Sequence, residues 1–384
     1  MRILFLLILL LIGSLTANAQ LVNNGEVISV LDGAVITVNG NINNNAFGEI
    51  VNGGLFIVSG NWNNVSTYRA SDGTVRFASD TRQTITHNGN AFFNIQFAGD
   101  GEKVLQDEMR VSNEISSESS LINTRDPNAT LIIGSAAQMS GFSSTSYVDG
   151  YLYHEGLGSK NFPVGTAANY LPVTLEDIQG QDPIVGIGAI EPNPNTETAE
   201  TLQEVSANRY WDLDVFAGEF NGSLVTLPIV DDDATFLETG EVVIGRSAGL
   251  SEPYINLGQS QQTNLSVTSR DLAITGSLVT IAVVGEESFF VPSALFTNAP
   301  DENDQVIKVY SEELLPDNFS FIVYDKWGQV IFESNDLDTM QETGWRGVNS
   351  SGQLVKMDVY TYLIRGTFQS GKDFENTGTI TMLR

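Results

Sequence analysis

The chain has 384 residues, with 47 Asp and Glu against 18 Lys and Arg, a formal charge of −29 and no cysteine. So acidic a chain lacks the basic face that nucleic acid or an anionic membrane requires. Without cysteine it can build no disulfide framework, thiolate nucleophile or Cys-ligated metal.

The length suggests two or three domains, each with room for its own core. Residues 1–19 read as a secretory signal peptide. Arg2 supplies the positive start, residues 3–12 are an unbroken apolar run, and Ala17-Asn18-Ala19 places small residues at the cleavage positions. A membrane span needs about 20 apolar residues, roughly twice this run. The mature chain is therefore expected to begin at Gln20, and no later segment is apolar enough to span.

Residues 20–150 repeat. Laying 36–44 over 56–64 brings Val38, Gly40, Asn41, Asn43 and Asn44 onto Val58, Gly60, Asn61, Asn63 and Asn64. Short apolar runs recur at a similar step through 75–77, 93–97, 109–111, 131–133 and 151–153. A period of about 20 residues with short strands and Asn/Gly corners predicts a β-solenoid-like region of about five or six coils, in which stacked Asn side chains form ladders. A β-sandwich with evenly spaced strands is the competing reading. Helix is disfavoured, because Asn, Gly, Thr and Val are poor helix formers and no 3.6-residue period runs through the stretch.

Residues 151–285 change character. The Asn-rich repeat stops, and alternating runs appear at 210–216, 224–230, 241–245 and 278–284, predicting a central β-sandwich. Glu191-Pro-Asn-Pro-Asn195 reads as a stiff loop, since each Pro pushes its predecessor toward extended backbone.

Residues 291–384 form the last expected domain. Two β-branched and aromatic runs flank Lys326-Trp327-Gly328-Gln329, and further runs follow at 359–364 and 378–384. Strand, tight turn and strand, then two more strands, predict a β-sandwich whose final run completes a sheet. The order Val291-Pro-Ser-Ala, Asp301-x-Asn303-Asp304, Tyr324-Asp-Lys-Trp327-Gly328-Gln-Val-Ile-Phe-Glu333, Trp345-x-Gly347, Val359-Tyr360-x-Tyr362 and Gly378-Thr-Ile-Thr through Arg384 resembles the gliding-motility-associated C-terminal domain. That domain is the type B sorting signal of the type IX secretion system in Bacteroidetes. The chain departs from the pattern at 297–302, where a Gly-rich stretch is usual, and at Asp358, where glycine is usual. The resemblance implies an Ig-like β-sandwich, a partnership with the type IX secretion machinery, and export to the outer surface or the medium. Asp338-Thr339-Met340, placed in a polar loop, looks like the Asp-Ser/Thr-aliphatic acceptor for O-glycosylation in Bacteroidetes, with Thr339 as the modified residue.

No catalytic, cofactor or metal site is expected. His87 and His154, the only histidines, have no ligand-spaced partners and read as loop residues. Serine is plentiful, yet the chain has two histidines in all to serve as base, so triad chemistry is not expected. Asp231-Asp-Asp233 and Asp301-Glu-Asn-Asp304 offer oxygens to calcium, but neither has EF-hand spacing and both suit solvated turns. The expected function is that of a non-catalytic surface protein, an adhesin or matrix component with a glycan or protein ligand. The alternative is a carbohydrate-active enzyme with a β-helix groove. A lyase needs a cluster of Lys or Arg, whereas Arg69, Arg76, Arg82, Lys103, Arg110 and Arg125 are scattered along the repeat.

Overall fold

A computed structural model describes residues 19–199, 202–230, 233, 241–284, 288–301, 305–311, 313–369 and 371–383. The fold is nearly all β, and it divides into two compact units, Met1–Leu152 and Tyr153–Arg384.

The first unit is a β-solenoid of about seven turns, against the five or six coils that the sequence suggests. The coil that opens with Ala19–Asn23 lies ahead of the first aligned run at 36–44 and so escapes the count. One stack contains Ala19–Asn23, Gly40–Asn44, Trp62–Asn64, Gln83–Thr86, Lys103–Leu105 and Ile122–Thr124, all paired parallel. A second runs through Val35–Val38, Leu55–Val58, Thr74–Ala78, Ala91–Ala98 and Glu108–Ser117, also parallel. The first three coils add a third side, Val27–Val30, Glu49–Asn52 and Thr67–Ala70. Parallel neighbours require a crossover between them, and here the rest of each coil serves as that crossover.

Val38 pairs with Val58, as the repeat predicts, and both side chains are buried. Period-two alternation turns Phe56, Val58, Val75 and Phe77 inward. Trp62, in register with Ile42, sits at the centre of an aromatic cluster with Phe56, Tyr68, Phe77 and Phe92 at centroid distances of 5.8–6.0 Å. At the corner, Asn23 Nδ2 donates to Asn44 Oδ1 at 2.9 Å, and Asn44 Nδ2 donates to Asn64 Oδ1 at 2.7 Å. This is the expected ladder, and it satisfies amides that burial would otherwise penalise.

In the second unit a long antiparallel pair, Val173–Ile190 with Tyr210–Pro228, runs from Ile190↔Tyr210 to Thr174↔Thr226 through several bulges. The expected strands at 210–216 and 224–230 are thus largely one continuous strand, whose register against its partner shifts around Gly218 and Gly222. The fully buried Ser277–Val284 pairs with Glu241–Ser247, Glu204–Val205 and residues 211–213. The stretch 191–195 is held less by its prolines than by Asn193 and Asn195, whose amides donate to Ser206 O and Glu252 O at 2.8 and 2.7 Å.

The last residues build a five-stranded sheet in the order Ala294–Phe296, Asp373–Leu383, Val359–Thr367, Ser320–Tyr324, Val330–Ser334. All pairs are antiparallel except the first. One face packs Phe321, Val323, Ile364, Ile380 and Met382 against Ile307, Leu337, Met340 and Trp345. The elements on the other side of this core are the helix Leu337–Glu342 and the bridge Ile307↔Trp345. The final run does more than close the sheet, since Asp373–Leu383 lies inside it with a strand on either side.

Candidate functional site

The residues that carried the C-terminal motif fall into two groups. Trp345, Gly347, Tyr360 and Gly378 form one packing unit around the terminal strand. The Trp345 indole is buried, donates Nε1–H to Val348 O at 2.8 Å and meets the Tyr360 ring edge-on at 6.1 Å. Tyr360 donates its hydroxyl to Lys356 O at 3.0 Å, and burial first, then the Asp358 and Asp325 charges, raise its pKa. Gly347 has φ of +71°, which strains any other residue, and a β-carbon there would stand 2.0 Å from Met382 Cε, so the end of that side chain would have to move. Gly378 pairs with Tyr362, and a β-carbon would lie 2.4 Å from the Tyr362 hydroxyl oxygen; glycine leaves room for the ring to lie across the strand. These positions are architectural.

Trp327 and Gly328 are different. They form the tip of the hairpin joining Ser320–Tyr324 to Val330–Ser334, with Gly328 at φ of +80° and Trp327 83 % exposed. Asp325 organises the tip, and Lys326 Nζ donates to Asp358 Oδ2 at 2.9 Å. Thus Asp358, which departs from the family pattern, supplies the ion-pair partner of the turn. Sequence reasoning named Trp327 but missed Asp325, although Asp followed two and four residues later by turn amides is an Asx-turn signature. Asp301 is exposed, while Asn303, Asp304 and Arg384 lie outside the described residues.

Thr339 is not in a loop. It lies on the helix Leu337–Glu342, where Asp336 caps the N-terminus by accepting Thr339 N–H at 3.0 Å and Thr339 Oγ1–H at 2.8 Å. Those bonds lower the Asp336 pKa, the backbone one most. Leu337 and Met340, three residues apart and both buried, select helix over loop. The Thr339 side chain remains exposed.

Both histidines are buried, His87 just past the strand Gln83–Thr86 and His154 within Val148–Glu155. His87 occupies the ladder position after Asn64; its Nδ1 accepts Trp62 Nε1–H at 3.1 Å, and its ring stacks on Phe92 at 3.6 Å. Burial pushes its pKa down to about 3. His154 is buried on a strand, donates Nε2–H to Asn161 O at 2.9 Å, and is lowered to about 4, chiefly by burial. In both cases the imidazole fills the role of a buried amide or apolar ring, which local sequence does not disclose.

Asp233 is not a solvated turn residue. Both carboxylate oxygens accept Arg209 Nη1–H at 2.9 Å, and Arg209 Nε also reaches Glu191 at 3.2 Å, all near zero exposure at the Arg–Asp contact. Its oxygens are committed to a guanidinium, whose position some 24 residues away in sequence could not be foreseen. Asp231 and Asp232 lie outside the described residues. Among the described residues no cluster of three or more His, Asp or Glu could hold a metal ion.

The basic residues of the solenoid are each answered. Arg69, Arg76, Arg82, Arg110 and Arg125 pair with Glu49, Glu118, Glu102, Glu108 and Asp149 at 2.5–3.3 Å. Lys103 turns inward and donates Nζ–H to Ser79 O and Gly101 O at 2.9 and 2.6 Å, with burial lowering its pKa to about 8.

Residues 289–382 match the family model of the CHU_C type IX secretion signal domain. The five-stranded sheet is therefore a sorting signal for type IX export, and it marks the protein for the cell surface or the medium. No curated protein and no solved structure matches the chain. Among the described residues no helix is long and apolar enough to cross a membrane.

Proposed function

We propose that the chain is a non-catalytic surface protein, an adhesin or matrix component, whose solenoid is the displayed part and whose last domain delivers it. Residues 1–19 act as the leader for the first export step, and Gln20 opens the mature chain. The observation that carries the reading is the pairing in the solenoid. Every arginine from Arg69 to Arg125 is held by a carboxylate and Lys103 is buried, so no free cationic cluster is offered to a uronate substrate. Thr339, exposed on its helix, is a candidate for the O-linked glycan. Binding of the mature protein, tested on arrays of glycans and matrix proteins beside a polysaccharide-depolymerisation assay, separates the readings. Saturable binding without turnover is expected, and chain cleavage of any polysaccharide would replace adhesin by enzyme.

A further inference from the structure

We propose that the hairpin end of the five-stranded sheet, centred on Trp327, is the surface by which a protein of the export apparatus grips this domain, through an apolar cleft that receives the indole. The inference rests on the reading of residues 289–382 as a sorting signal and adds the side chains that touch the partner.

Trp327 is 83 % exposed, whereas Trp345 of the same domain is 1 % exposed. The turn beneath it is stiff. Asp325 Oδ1 accepts the backbone N–H groups of Trp327 and Gln329, each at 2.9 Å, and Gly328 N–H donates to Asp325 O at 2.9 Å. The Lys326–Asp358 bond ties the tip to the start of Val359–Thr367. An aromatic on a fixed turn has little freedom left to lose on binding, the condition under which tryptophan becomes an interface anchor.

The tip does not stand alone. Met357 is 61 % exposed, and Val330 and Val359 are about half exposed. All belong to the same end of the sheet, because Tyr324 pairs with both Val330 and Thr361, and Asp358 lies between Met357 and Val359. The charged residues flanking these side chains in sequence, Asp325, Lys326, Lys356 and Asp358, are two of each sign in a chain carrying −29. The hairpin tip thus gathers exposed apolar side chains whose flanking charges balance, on an otherwise acidic protein, which is the character of a docking surface. A second copy is disfavoured as its occupant, since two chains of −29 repel.

The test follows the full chain in cells that have the type IX machinery. Trp327→Ala is expected to lower the exported fraction by roughly tenfold or more, the loss typical of an interface anchor, while residues 289–382 keep their protease resistance. Trp327→Phe should retain most export, and Leu265→Ala, at a 75 % exposed site elsewhere, should change nothing. Met357→Ser with Val359→Thr leaves the turn intact and should reduce export severalfold. A chain lacking 289–382 tests the underlying reading: if it is still exported, the domain is not the signal. If that deletion blocks export while Trp327→Ala is exported like wild type, the contact surface is overturned and the sorting role stands. Self-association of the purified chain that Trp327→Ala abolishes, with export unchanged, would assign the tip to a second copy and equally overturn the proposal.

Discussion

The solenoid and the C-terminal sheet are both made of short strands, yet they are closed in different ways. In the solenoid each coil pairs with the one before and after it; the ladder contacts Asn23–Asn44, Asn44–Asn64 and Asn64–His87 span 21, 20 and 23 residues. Stability of such a stack is approximately a sum over coils and their neighbours. In the C-terminal sheet the first strand, Ala294–Phe296, pairs with the last, Asp373–Leu383. The sheet is complete only when the whole domain is present, so it is all-or-none. The polar residues follow suit. The solenoid turns Asn23, Asn44, Asn52 and Asn64 inward, while the sheet's core is apolar and aromatic.

The largest test of this contrast is removal of residues 378–384. That deletes half of an interior strand with the buried Ile380 and Met382, each worth about 1.5–3 kcal/mol, and strips hydrogen bonds from both neighbours. Limited proteolysis should show 289–377 digested and the solenoid intact, with the protein held in the periplasm. A truncated chain that still reaches the surface would show that the address lies elsewhere.

Val58→Asp attacks the other side. Val58 is fully buried between Val38 and Phe77, and an unpaired carboxylate there should cost more than about 3 kcal/mol. Thermal unfolding followed by circular dichroism should lose the solenoid transition; a change below about 0.5 kcal/mol would mean the register is wrong.

Acid should separate the regions next. The folded His87 pKa of about 3 lies below the 6.5 of an ordinary imidazole, so the folded solenoid binds fewer protons than the unfolded one. Its stabilising contribution is complete above pH 6.5 and is lost as the pH falls toward 3, at about 1.4 kcal/mol per pH unit as an upper figure. His154 acts in the same sense toward its value of about 4, whereas residues 289–382 contain no histidine. Melting of the chain at pH 7 and pH 4 should show the solenoid falling most, and His87→Asn, which restores the ladder residue, should flatten that dependence.

The smallest effect is expected from Gly347→Ala. Strain at φ of +71° and the approach of Met382 Cε should destabilise the sheet by about 1–3 kcal/mol and leave the solenoid transition unmoved. Chemical denaturation resolves the two.

The solenoid was the more legible region because its contacts repeat: aligning Val38 to Asn44 with Val58 to Asn64 already states the pairing that the coils adopt. The hairpin around Trp327 and the terminal strand were legible too, since alternation and turn residues are local signals. The helix at Leu337–Glu342 was hidden inside a polar stretch, its signs being Asp336 at the N-cap position and two apolar residues three apart. His87 was hidden because its sequence neighbours are polar, while the groups that bury it, Trp62, Tyr68 and Phe92, come from other strands.

The sequence by itself determined the all-β character, the coil step with its Asn ladder, and the sorting motif, because period, turn chemistry and motif order are written between near neighbours along the chain. Only the tertiary structure decided that Asp373–Leu383 is an interior strand, that Asp233 belongs to Arg209, and that Trp327 stands in solvent while Trp345 is enclosed. Burial and ion pairing depend on residues tens of positions apart meeting in space, and no local pattern of polarity records which of two tryptophans the rest of the chain will cover.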